Sequence, residues 1–161
     1  MVKDNTKISG FIVDILPKIS LLVGVISAIL SFYFYQQDHH RFFFSYLTSF
    51  FFFLTVSLGA FFFVLSQHIT RAGWSVVLRR IPEHLMKNLW LLAIFFVPVL
   101  FGIHDLYHWS HPEEVAVDHL LQIKAPYLNT NFFLIRAAFF WGIWILFSYI
   151  FFKKSTQQDE T

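Results

Sequence analysis

Apolar residues in this chain gather into four long runs, at about 11–35, 42–66, 89–108 and 131–152, with polar connections between them. Each run is close to the roughly 20 residues that a helix needs to cross the hydrocarbon of a bilayer. The pattern therefore predicts an all-α, polytopic membrane protein: a single transmembrane domain, residues 1–161, built as a four-helix bundle. Lys3 and Lys7 precede the first run, but no small-residue cleavage pattern follows. The run ends instead in Phe32-Tyr33-Phe34-Tyr35, an aromatic belt expected of a retained helix at the interface.

The second run places Phe blocks at 42–44, 50–53 and 61–63, with Ser45, Thr48, Ser49, Thr55, Ser57, Gly59 and Ala60 between them. Small residues let a neighbouring helix approach, so they are expected at the packed face and the Phe rings at lipid or a partner. Pro98 and Gly102 interrupt the third run, which should bend it and free a backbone carbonyl. Two longer connections remain. Apolar residues at helical spacing from Trp74 to Leu85, broken at Pro82, predict a short interfacial helix; Val115 to Ile123 predict another. Ser155–Thr161 reads as a polar tail.

Composition agrees with this picture. Of 161 residues, 57% are hydrophobic and only 14% charged, too little polar surface for an ordinary soluble domain or a disordered chain. There is no Cys, which excludes disulfides and Cys-ligated clusters within the sequence. The net charge of +2 is spread over separate loops and gives no support for nucleic acid as a partner. The basic residues do set an orientation. Lys3, Lys7, Arg71, Arg79, Arg80, Lys87, Lys153 and Lys154 fall on one side, against Arg41 and Lys124 on the other. The positive-inside tendency makes the first side cytoplasmic, with both termini there.

Among polar residues, Arg136 is the sharpest signal, one to two turns inside the fourth run. An Arg at that place either snorkels to the interface or faces a cavity, where Asp105 at the end of the third run is a candidate partner. His104 and His108, four apart, would share a helix face, as metal ligands or haem neighbours do. His68 and His104 fall at opposite ends of their spans, so a transmembrane bis-His haem is not expected. Asp14 and Lys18 suit an i,i+4 ion pair. No phosphate loop, nucleophile elbow or His-Glu-x-x-His motif is present.

Three stretches together carry a resemblance: 66–80 (SQHITRAGWSVVLRR), 96–109 (FVPVLFG followed by LYHW) and 124–136 (KAPYLNTNFFLIR). They resemble the ActF-like membrane subunits of the bacterial alternative complex III, within the polysulphide-reductase-like quinol:electron-acceptor oxidoreductases. The resemblance implies a non-haem subunit of a respiratory complex in the bacterial inner membrane. It implies a paralogous quinol-binding subunit alongside, and haem and iron–sulfur groups on partner subunits rather than on this chain. By position it carries His68 and Arg71 on the inner side, and Asp105, Lys124 and Arg136 on the outer side. His68, His104, Asp105, Lys124 and Arg136 are the candidates for a proton pathway or a quinone-facing surface; Arg71, Trp74, Arg79 and Arg80 form the expected cytoplasmic interface. Family members continue with further spans beyond the segment matching Ser155–Asp159, so a truncated or split member is expected. The alternative expectation is a membrane anchor or assembly protein with no part in proton or electron transfer.

Overall fold

The computed structural model describes residues 14–70 and 80–158. Those residues are predominantly helical, with no strand among them. Four helices are long and apolar enough to cross a membrane: Leu16–Gln37, His39–Thr70, Arg80–Phe101 and Thr130–Gln157. Backbone contacts divide the chain into two compact units between Phe42 and Phe43.

The first unit contains α1 (Leu16–Gln37) and the first residues of α2 (His39–Thr70). Pro17 sits in the opening turn of α1, where its missing N–H costs nothing. Asp38 ends α1 in an extended conformation, and its carboxylate accepts the Arg41 N–H at 3.0 Å, starting α2 one residue later. Tyr35 seals the corner, its ring edge-on to His39 and Phe42. The helix thus runs two residues past the expected end at Tyr35. The expected ion pair between Asp14 and Lys18 does not form; both side chains are exposed, where such a pair contributes little.

In the second unit, α2 buries Phe43, Phe50, Ser57 and Val64, each seven residues after the last, with Leu54 and Ala60 beside them. This is a heptad seam, the spacing that keeps one stripe of a helix against its neighbours. The seam corrects the expected division of labour. Phe43 and Phe50 turn inward, whereas Ser45, Thr48, Ser49 and Thr55 lie on the exposed face. Only Ser57 and Ala60 of the small residues are buried there. Three of the exposed hydroxyls donate to the carbonyl four residues earlier in their own helix: Thr48 to Phe44, Ser49 to Ser45 and Thr55 to Phe51.

The third apolar stretch begins earlier than the expected residue 89. It comprises α3 (Arg80–Lys87), α4 (Leu89–Phe95), α5 (Val97–Phe101) and α6 (Ile103–Leu106), joined through single residues at Asn88, Phe96 and Gly102. Of the interfacial helix expected from Trp74 to Leu85, residues 74–79 lie outside the described residues, and the described part, α3, runs through Pro82 without a break. The expected break at Pro98 is present. Val99 N–H bonds to the Phe96 carbonyl at 3.0 Å, and the Phe95 carbonyl instead accepts the Tyr46 hydroxyl from α2 at 2.6 Å. At Gly102 a Cβ would run into the Phe43 ring, so this close approach requires glycine.

The long connection after α6 holds a 3₁₀ turn (His108–Ser110), α7 (Pro112–Val117) and α8 (His119–Lys124). The single helix expected over 115–123 is two, because Asp118 is extended and its carboxylate caps α8 at Leu120 N–H, 2.8 Å. The last helix, α9 (Thr130–Gln158), is capped by Asn129, which accepts the Phe132 N–H at 2.8 Å. It packs along α3 and α4. There the buried Ser148 hydroxyl donates to the Met86 carbonyl at 2.8 Å.

Candidate aromatic cleft at Arg136

The heptad seam of α2, the broken third helix and α9 enclose a run of touching rings. Phe50 packs on Phe96 and Trp141, with centroids 5.7 and 6.4 Å apart. Phe96 continues to Phe133 at 6.4 Å, and Phe133 meets Tyr107 and Trp109 at 5.8 and 5.7 Å. Trp141 lies edge-on to Trp144 at 5.4 Å. These rings leave a cleft of about 320 Å³, bounded by Leu47, Phe51 and Leu54 on α2 and by Phe133, Phe140 and Trp144 on α9. Its size falls in the range of small-molecule sites, which are mostly apolar with a few polar groups that fix orientation.

Arg136 is the charged group in the cleft wall. Its guanidinium lies 3.8 Å from the Tyr127 ring centroid and 4.8 Å from that of Phe132. Side chains on a helix lean toward its N-terminus, so Arg136 reaches back one turn to meet rings around the helix start. The aromatic faces replace part of the hydration the cation loses. Its Nε is buried and has no hydrogen-bond partner. The cleft therefore has an apolar, flat-walled interior and one cationic donor at its edge. Tyr107 also lines it, beyond the third candidate span, and burial raises its pKa.

The other expected site residues are not assembled here. Arg136 makes no ion pair with Asp105, which is half-buried on α6. His104 and His108 do not share a helix face, because α6 ends at Leu106 and Tyr107 is extended. His104 instead packs against His111, with rings 5.3 Å apart and the His111 Nε2–H donating to the His104 carbonyl at 2.8 Å. His108 Nδ1 meets Glu114 at 2.8 Å. Lys124 is exposed at the end of α8. His68 lies 14 residues beyond Leu54, about 21 Å further along α2. Its Nδ1–H donates to the Val64 carbonyl at 2.9 Å, its ring packs 5.0 Å from Phe151, and its Nε2 is buried without a partner.

Of the expected cytoplasmic interface, Arg71, Trp74 and Arg79 lie outside the described residues. Arg80 opens α3 and pairs with Glu83 at 3.1 Å, a fully buried carboxylate that sequence reasoning passed over. Tyr127, Tyr46 and Trp141 were also missed. Tyr127 had one legible signal, its place two residues before the N-cap of a helix carrying an inward Arg. No protein-family profile matches the chain, and no curated protein matches it.

Proposed function

We propose that the chain is a non-haem, multi-pass subunit of a quinol-oxidising respiratory complex of the alternative complex III type. In this reading it spans the bacterial inner membrane with both termini cytoplasmic. It packs beside a paralogous quinol-binding subunit, while haem and iron–sulfur groups belong to other partners. The exposed apolar faces of its four long helices meet lipid or those partners. The short helices α7 and α8 lie at the outer interface.

The observation that carries the reading is the cleft at Arg136. A quinone head is a flat ring with two carbonyl oxygens on an apolar tail. Aromatic walls suit the ring, the apolar opening suits the tail, and the Arg136 guanidinium in the wall suits a carbonyl oxygen. The segment 124–136, which carries both Tyr127 and Arg136, is also one of the three on which the family resemblance rests. The cleft supplies a quinone-facing surface.

A proton route through α2 has less support, because Thr48, Ser49 and Thr55 spend their hydroxyl protons on carbonyls of their own helix. The second reading, an anchoring subunit without part in turnover, is favoured by the adjacent rings of Phe51, Phe52 and Phe53. All three are about half exposed or more, a band of rings around α2 that a partner can cover. Quinol oxidation by the reconstituted complex separates the two. Arg136→Leu is expected to raise the quinol KM about tenfold, the effect of one lost donor, with Arg136→Lys in between. An assembled Arg136→Leu complex with unchanged quinol kinetics would leave the anchoring reading standing.

A further inference from the structure

A second groove lies at the other end of the second unit, where α3 and α4 meet the last turns of α9. It encloses about 460 Å³ and is lined by Lys87 and Lys153, with Trp90, Ile145, Tyr149 and Phe152 along its length. We infer that this groove binds the headgroup and upper acyl chain of an anionic phospholipid. The placement is independent of the Arg136 cleft and of the function proposed for it.

Charge comes first. Lys87 and Lys153 are both exposed, and neither makes an ion pair among the described residues. The nearby buried carboxylate, Glu83, is held by Arg80 at 3.1 Å. Lys87 Nζ lies 4.4 Å from the centroid of the Phe152 ring, which fixes one ammonium against the groove wall. The hydroxyls contribute little to recognition. Ser148 donates to the Met86 carbonyl, and Thr156 donates within its own helix to Phe152 and Lys153 carbonyls. The charged donors of the groove are therefore its two ammonium groups, with the Trp90 indole N–H and the Tyr149 hydroxyl beside them, a set that suits a phosphodiester.

Depth and shape then select a lipid over a soluble anion. Lys87 lies two residues before the apolar helix α4 and Lys153 follows the apolar body of α9, so both ammonium groups sit at ends of apolar stretches, within reach of the headgroup layer. Trp90 and Tyr149, both more than half exposed, have the amphipathic character of interfacial anchors. From Thr156 to Ile145 the groove follows α9 for eleven residues, about 16 Å. A free phosphate has no use for an apolar trough of that length; an acyl chain does. Basic pockets between spans on the cytoplasmic side commonly take anionic headgroups, and the distribution of Lys and Arg assigns this end to that side.

Native mass spectrometry of the full chain in detergent tests the inference, with phosphatidylglycerol and phosphatidylcholine of matched acyl chains titrated in. Phosphatidylglycerol is expected to remain bound at concentrations ten- to thirtyfold lower, the effect of two lysines near an anionic group. Lys87→Gln with Lys153→Gln should erase that preference, and each single variant should remove part of it. Lys154→Gln, adjacent in sequence but outside the groove, should keep it. Circular dichroism confirms helix content in each variant, and the single variants carry the test if the double one misfolds. Equal retention of the two lipids by the unaltered chain overturns the inference. So does an effect of Lys154→Gln as large as that of the pair, which would mean diffuse surface charge. Displacement of the lipid by millimolar inorganic phosphate would mark a soluble-anion site and overturn it as well.

Discussion

At the residue scale, two positions show how far a sequence can be read. Arg136 stood out because a charge inside an apolar run carries a cost that something must offset. What offsets it was not legible, because Tyr127 reaches Arg136 only through the turn that precedes α9. Gly102 was legible as a break, yet the reason it must be glycine is Phe43, 59 residues away in sequence. Glycine 142, by contrast, has nothing within 4 Å of a built Cβ and sits inside α9. The two therefore predict opposite outcomes for the same substitution. Gly102→Ala should destabilise by about 1–3 kcal/mol, since a buried ring must move. Gly142→Ala should be neutral or stabilise by up to about 1 kcal/mol through helix propensity. Thermal unfolding of both variants in the same detergent provides the comparison. A smaller loss at Gly102 than at Gly142 would mean that the Phe43 ring gives way freely.

At the element scale, the runs were legible because helices long enough to span must be apolar over their whole length, and that signal survives any packing. Which face turns inward was not. Phe blocks and small residues in α2 both recur at helical spacing, and only the heptad from Phe43 to Val64 decides between them. The break at Pro98 was foreseen, but its consequence depends on a second helix: Tyr46 takes the carbonyl that the distorted ladder leaves at Phe95. Removing that hydroxyl has a defined cost. Interhelical hydrogen bonds in membrane proteins average about 0.6 kcal/mol and reach about 1.7. Tyr46→Phe leaves a backbone acceptor at a distorted turn, which places its loss toward the upper figure, about 1–1.5 kcal/mol. Unfolding in mixed micelles measures it, with Tyr33→Phe on the exposed side of α1 as the control. Equal losses in the two variants would show that the ladder closes on itself without Tyr46.

At the scale of the whole molecule, the proposed sidedness rests on parity and charge together. If all four candidate spans cross, the chain returns to the side on which it starts, and the positive-inside tendency makes the side with most Lys and Arg cytoplasmic. Neither argument depends on packing, so the proposal can be tested by labelling alone. The sequence has no cysteine, so a single introduced thiol reports its position without background. Val117, at the end of α7, is 88% exposed and lies in the long connection between the third and fourth spans. Lys154 lies at the other end of the fourth span and is exposed too. In intact cells stripped of their outer membrane, a membrane-impermeant maleimide should label Val117→Cys and leave Lys154→Cys untouched. After lysis both should react. Asn5→Cys should behave like Lys154→Cys, since an even number of crossings separates them. Labelling of Asn5→Cys and Lys154→Cys on opposite sides would mean that one of the four helices lies along the membrane. Labelling of both from outside, with Val117→Cys protected, would keep the four spans and invert the orientation, placing the lysine groove in the outer leaflet.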